Sequence, residues 1–399
     1  NPEDWIRFYL NNEIKEVDWL GIDELLIHER YIPFIPMNRG YKKDLLNIYV
    51  NEVHKSKSQR KSFKENLKLL IPEIEEVILT KINDKDIDVV DICTPNNTHP
   101  EMAIAAAKAG KHIICEKPLA RNASEAKDMY EAVKKSNIIH MVAFNYRRTP
   151  AVALAKKIIS ENKIGKVLNF RGTYLQDWPA DPNGPLSWRF QKEIAGSGTL
   201  GDIGTHVVDF ARYLVGEIKS VNAIAKTYIK DRPIQQSAND TMDIRVGNNN
   251  AKKGIVDVDD EIITMLKFSN GAVGTIEASR NAYGRNNFLT FEIHGSQGSI
   301  IFNYERRDEL KVMFADSSSE TQGFQTIYTG PAHPYGGGLW PIPALGIGYG
   351  ETKIIECYDF FNAIKENKQP SPNFEDGYII SKIADSILES SQKEKWINI

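Results

Sequence analysis

Two short stretches of this chain hold residue types that could move a proton. Cys115-Glu116-Lys117-Pro118-Leu119 ends an apolar run with a carboxylate, an ammonium and a proline. Gly201-Asp202-Ile203-Gly204-Thr205-His206 sets an aspartate and a histidine at i, i+4 spacing, which stacks both side chains on one helix face. A lysine, a carboxylate and an imidazole that converge in a cleft can take the proton from a hydroxyl group. That is half of an alcohol oxidation, and the other half needs a hydride acceptor.

Each stretch also has a plainer reading. Lys117 beside a cleft is a hydroxyl ligand whose pKa falls on desolvation, or one member of a salt-bridged surface turn. Proline cannot extend a strand ladder, so the strand stops at Pro118, where the turn can hold a cis bond. His206 is a general base with a pKa set by Asp202, or half of an ordinary helix-face ion pair. Gly196, Gly198 and Gly201 allow close backbone approach at the start of that helix.

The elements that must position these groups are legible in residues 81–146. Apolar runs at 88–93, 112–115 and 141–144 alternate with helical stretches at 100–110, stopped by Gly110, and from Ser124 to near Asn137. Short continuous apolar runs between helices imply parallel strands covered on both faces. The loops that leave the carboxyl ends of such strands are where ligands bind, and Asn96, Lys117 and Tyr146 lie on them. From about residue 168 the pattern changes to longer strands at 169–174, 220–229, 262–268, 272–278, 288–294 and 299–302. Ser269-Asn270-Gly271 is the strongest hairpin signal, and 351–366 and 376–391 read as closing helices. The fold class is therefore α/β + α+β: a Rossmann-like doubly wound parallel sheet, then an α+β domain with an open, largely antiparallel sheet. Residues 1–80 do not fit this scheme. They hold two glycines, Gly21 and Gly40, and no Gly-x-Gly-x-x-Gly, so the first βαβ unit is atypical or missing. The domain limits read as 1–80, 81–150 and 151–399.

A second group of residues suits a sugar. Trp178, Trp188 and Arg189 lie in or beside the Pro-rich loop from Gln176 to Pro182. Aromatic faces stack on sugar C–H faces while carboxylates accept hydroxyls; buried tryptophans that merely anchor the loop are the alternative. His333 to Trp340 is a second wall of the cleft or a plain surface loop.

Composition narrows the classes. The 399 residues allow two domains, and a formal net charge of -3 gives no attraction for nucleic acid or an anionic membrane. Three cysteines, an odd count without ligand spacing, argue for a reducing compartment and against a disulfide framework, and no two stand at zinc spacing. No apolar run approaches the roughly 18–20 residues of a membrane helix. The expectation is a cytoplasmic protein with no metal, although residue 1 is not a methionine and a leader is left open.

Four ordered motifs then resemble a known family. Thr94-Pro95-Asn96-Asn97-Thr98-His99, Glu116-Lys117-Pro118, Asn145-Tyr146-Arg147-Arg148 and Gly198 to His206 stand in the order of the Gfo/Idh/MocA oxidoreductases, over about residues 80–399. The segment from Tyr174 to Arg189 is most similar to the sugar-oxidising branches, levoglucosan dehydrogenase-like enzymes among them. The resemblance implies NAD or NADP as cofactor and a homo-oligomer, dimer or tetramer, built on the second sheet. It makes Lys117 the ligand of the reacting hydroxyl, His206 its base, and Asp202 the group that orients the histidine or a neighbouring hydroxyl. Thr94, Pro95, Asn96, His99, Glu116 and Pro118 would line the cofactor. Tyr146, Arg147, Trp178, Trp188 and Arg189 would face a sugar or cyclitol. The family's glycine-rich opening has no counterpart by motif in residues 1–80, which suggests a frameshift, a misjoined frame or a replacement. With a genuine replacement, cofactor affinity should be poor or nil. The rival function is a catalytically silent sugar-binding protein.

Overall fold

In this computed structural model the described residues are 82–399, except 84, 86, 235–251, 340, 341, 343 and 344. The expectations about residues 1–80, and Trp340, lie outside them.

The first sheet is parallel, with strands β1 (Val89–Ile92), β2 (His112–Glu116) and β3 (His140–Ala143) in that spatial order. Ile113, Ile114 and Cys115 of β2 are buried, as are all four residues of β3. Burial on both faces is why the strands read as unbroken apolar runs. Helices α1 (His99–Lys108) and α2 (Ala123–Ser136) connect the strands. Gly110 follows α1 at φ +72, and Asn137 ends α2 in the left-handed region, so the expected stop at Gly110 is a backbone requirement.

The second sheet has nine strands, in the order β13-β12-β11-β10-β4-β9-β8-β5-β14. Its members are β4 (Val167–Leu175), β5 (Ile218–Lys226), β8 (Glu261–Phe268), β9 (Val273–Ser279), β10 (Phe288–Gly295), β11 (Gly298–Asn303), β12 (Glu309–Phe314), β13 (Gln325–Tyr328) and β14 (Ile397–Asn398). A two-stranded ribbon, β6 (Asp231–Pro233) with β7 (Lys253–Ile255), stands apart. Every pair in the large sheet is antiparallel except β4 with β9. Gly271, at φ +89, closes the β8–β9 hairpin, and Asn270 accepts the Ala272 N–H at 3.0 Å.

One face of this sheet is covered. Phe170, Ile276, Phe291 and Phe302 point into a core shared with α3 (Pro150–Ser160), α4 (Thr205–Leu214) and α6 (Phe374–Lys393). Burying each such side chain contributes about 1.5–3 kcal/mol. The closing helices also return to the first sheet. Phe360 of α5 (Tyr349–Glu366) packs on Ile114 and Met141, and the Val142 N–H donates to the Pro372 carbonyl at 3.2 Å. A Cβ on Gly377 of α6 would meet the Leu119 side chain at 2.7 Å. The two sheets are thus held together beside the carboxyl end of β2.

Candidate active site

β2 runs out at Glu116 and delivers Lys117 to the edge of the first sheet, with the Lys117–Pro118 bond cis. His99 secures this turn from beneath. It is wholly buried, with Nδ1 3.2 Å from both the Pro118 and Leu119 carbonyls and Nε2 2.9 Å from the Thr94 carbonyl. The second segment arrives from the opposite side. A Cβ on Gly198 would fall 1.9 Å from the Asp259 carbonyl, so only glycine fits there. The Asp259 carboxylate accepts the Gly198 and Leu200 N–H groups at 2.8 and 2.7 Å. A widened π-helical turn, Leu200–Gly204, then feeds α4. Such turns often mark functional positions in helices.

Lys117 and Asp202 meet where the two segments face each other. The ammonium donates to the Asp202 carbonyl at 2.6 Å and stands 3.7 Å from its carboxylate. Their side chains are 18% and 26% exposed, so the pair opens on solvent. Buried Arg280 holds the other carboxylate oxygen at 3.3 Å and the Thr199 hydroxyl at 3.1 Å. Burial works against the Asp202 charge, but Lys117, Arg280 and Arg189 outweigh it and hold the carboxyl below its ordinary value. Burial lowers the Lys117 pKa, against the pull of Asp202 and Glu116.

His206 sits behind them in an aromatic box. Its ring lies 4.7 Å from Tyr146, 5.6 Å from Phe144 and 6.0 Å from Tyr174, centroid to centroid. Burial, then the charges of Lys117 and Lys353, push its pKa well below the usual histidine value. A neutral imidazole beside an ammonium that can hold a hydroxyl is the arrangement a proton abstraction requires. The Tyr146 hydroxyl is 3.0 Å from that of Tyr174, which donates to Asn287 Oδ1 at 2.6 Å.

Several sequence expectations need correction. Asp202 and His206 form no ion pair, because the π-helical turn separates them and Asp202 is taken by Lys117 and Arg280. The His206 pKa is accordingly set by burial and two lysines rather than by Asp202. Both ring nitrogens of His99 face backbone carbonyls, so it clamps the two loops and has no ring nitrogen left to line a cofactor. Arg147 does not face a substrate. It is buried, bonded to Asp209 at 2.7 and 2.5 Å and to Ser371 at 3.0 Å, with its guanidinium over Tyr213.

The other expected residues lie around the Lys117–Asp202 pair or in its frame. Trp178 packs on Phe190 and donates to Gln176 at 2.8 Å, so it anchors its loop. Arg189 stacks on Trp188, and its charge reaches both Lys117 and Asp202. The Asn96 amide ties the loop after β1 to the Ala195 carbonyl at 2.9 Å. Thr94 and Pro95 lie in that loop, Pro118 is buried beneath Lys117, and Glu116 is bonded to Lys353. Arg280, Asp259 and Lys353 belong to no motif and were missed; the first two carry only the signal of a charge just after or before a strand, and Lys353 that of a charge within a closing helix.

The cofactor test is one of place. The carboxyl edge of a parallel sheet, with the backbone of Thr94–Asn96 and Glu116–Pro118 running along it, is where a nicotinamide nucleotide binds in such folds. That edge faces Lys117 and His206, so the residues fit the group. These features define a nicotinamide-dependent dehydrogenase.

Comparison with known proteins agrees. The model of an oxidoreductase family with an NAD-binding Rossmann fold matches residues 28–144, and that of the GFO/IDH/MocA C-terminal domain matches residues 152–301. The chain belongs to the Gfo/Idh/MocA oxidoreductase family. The first match begins upstream of residue 80, although residues 1–80 hold no Gly-x-Gly-x-x-Gly. The chain is 66% identical to levoglucosan dehydrogenase of Pseudarthrobacter phenanthrenivorans over 318 residues, 80% of this chain and 81% of that protein. It is 28% identical to myo-inositol 2-dehydrogenase of Thermotoga maritima, over 80% of this chain and 81% of that one. A solved levoglucosan dehydrogenase in complex with NADH and levoglucosan superposes with TM-score 0.75 at 65% identity, over 80% and 81% of the two chains. These relatives are dehydrogenases and lend nothing to the silent sugar-binding reading. The chain is therefore an NAD(P)-dependent oxidoreductase.

Proposed function

We propose that this enzyme oxidises a secondary hydroxyl of a sugar, with an anhydrosugar of the levoglucosan class as the first candidate and a cyclitol as the second. In this reading Lys117 donates a hydrogen bond to the reacting oxygen and His206 accepts its proton. Asp202, held by Arg280, fixes the ammonium. When bound, the nicotinamide accepts the hydride. Tyr146, Trp188 and Arg189 would border the sugar ring, and holding the carbinol in register supplies much of the rate. The reading is supported above all by the contact of Lys117 with Asp202 at the carboxyl edge of a parallel sheet, and by the Lys117 charge that reaches the buried His206. The levoglucosan-class substrate rests on likeness to the solved complex with that sugar. The test is a screen of levoglucosan, free hexoses and inositols with NAD and NADP, following reduced cofactor. Levoglucosan with one of the two cofactors should give the largest kcat/KM; turnover of an inositol alone would move the assignment to a cyclitol.

We also read the protein as a cytoplasmic homo-oligomer. The three cysteines remain thiols, and among the described residues no helix is long and apolar enough to cross a membrane. The uncovered face of the large sheet presents Ile224, Ile263, Met265 and Val273, all about half exposed. Ile224 and Ile263 are cross-strand partners, so the residues form a patch rather than scattered points.

A further inference from the structure

Helix α5 lays one stripe of residues against the site. Tyr349, Thr352, Lys353 and Glu356 recur at helical spacing, and each meets a motif residue or another member of the stripe. The Tyr349 ring lies 6.1 Å from that of Tyr146, which itself meets His206 edge-on. The Thr352 hydroxyl accepts the Asn145 amide at 2.8 Å. Lys353 Nζ donates to Glu116 at 2.7 Å and to Glu356 at 3.0 Å. Glu356 continues to Arg148 at 3.2 Å, and Arg148 to Asp359 at 3.0 Å. A line of alternating charges therefore runs from Glu116, the residue before Lys117 at the end of β2, through α5 to Asp359.

From this geometry we propose that Lys353 is a positioning residue for the proton-transfer step: bonded to Glu116, it fixes the end of β2 that carries Lys117, and it supplies the site with a second ammonium. The proposal rests on the dehydrogenase reading above. Two features support it beyond contact. Lys353 is held well above the ordinary lysine range, because Glu116 and Glu356 outweigh the burial that opposes its charge, so it stays an ammonium throughout the working range. Around His206 stand the rings of Tyr146, after β3, and Tyr174 of β4, with Asp202 one turn earlier in its own segment; the charges of Lys117, in the turn after β2, and Lys353 of α5 reach it. The two lysines are the ones that depress its pKa. Removing one cation should let His206 bind a proton at higher pH.

The test is the pH profile of kcat/KM, which reports ionisations of the free enzyme, for the full chain and its Lys353→Arg and Lys353→Gln variants. Lys353→Gln should move the acid limb upward by about half a pH unit or more, and Lys353→Arg should leave it in place. Superimposable limbs for Lys353→Gln and the parent would overturn the proposal, as would an equal upward shift in Lys353→Arg. Glutamine leaves Glu116 and Glu356 without their cation, and uncompensated buried carboxylates can unfold a protein. If thermal melts show that outcome, the double variant Lys353→Met/Glu356→Gln removes one carboxylate along with the charge, and the same shift is required of it. Parental turnover, and its loss in Lys117→Met, test the dehydrogenase reading separately. Intact results there with unmoved limbs would remove only the role given to Lys353.

Discussion

Lys117–Asp202 and Arg147–Asp209 are both cation–carboxylate pairs, and both join the end of a first-sheet strand to the Leu200–Leu214 segment. They are built to opposite standards. The arginine pair is bidentate, at 2.7 and 2.5 Å, and its side chains are 6% and 2% exposed. The lysine pair is 3.7 Å apart and open to the cleft, with its one short bond going to a backbone carbonyl. A closed, bidentate pair has no capacity left for a substrate. A loose pair leaves donors and lone pairs that a hydroxyl can use. A pair's remaining hydrogen-bonding capacity, rather than its presence in a motif, separates chemistry from scaffolding here.

The largest expected effect tests the open side of this contrast. His206→Gln should lower kcat by about 10²–10⁴ and leave the melting temperature near that of the parent, as read by steady-state kinetics and calorimetry. Arg147→Met should do the reverse. It strands a buried carboxylate and should cost about 3–5 kcal/mol in denaturant unfolding, while the protein that remains folded keeps its KM. A fall in kcat with unchanged stability would instead return Arg147 to the substrate.

The closed side extends to histidines. His140 is buried, accepts the Phe374 N–H at 3.2 Å and packs on the Phe374 ring. Burial lowers its pKa to about 4. The unfolded chain therefore binds this proton first as pH falls below about 6.5. The stability that depends on a neutral His140 is present above that value and drains away down to about pH 4, a loss approaching about 3 kcal/mol. The destabilisation caused by His140→Gln should accordingly shrink between pH 7 and pH 4.5, measured by paired urea titrations. A constant difference would mean that the ring titrates normally. The smallest effect on turnover is expected at the uncovered sheet face. Ile263→Lys with Met265→Lys should reduce the assembled mass in light scattering and change kcat less than twofold, roughly the effect of a surface substitution.

Much of this was legible in the residues. The strand-ending Glu116-Lys117-Pro118, the Ser269-Asn270-Gly271 hairpin and the two closing helices appear where spacing places them. Local signals reveal local structure, because turn chemistry and periodicity act over a few neighbours. Arg280, Asp259 and Lys353 were invisible for the complementary reason. Each reaches the site across a long stretch of chain, and an isolated charge beside a strand or on a helix looks like solvent-facing surface until the tertiary structure assembles. His99 and Arg147 mislead in the opposite direction, since a polar residue inside a functional motif can serve the backbone beneath the site. The parallel pairing of β4 with β9 was also not foreseen; strand composition does not encode direction.

Lys117 is the residue on which the assigned chemistry depends most directly. Lys117→Met can be compared with the parent for reduced-cofactor formation from levoglucosan, with cofactor affinity read from nicotinamide fluorescence. The variant should bind the cofactor as the parent does and turn over no sugar. Near-parental turnover in the variant would contradict the assignment of the reacting hydroxyl to this ammonium.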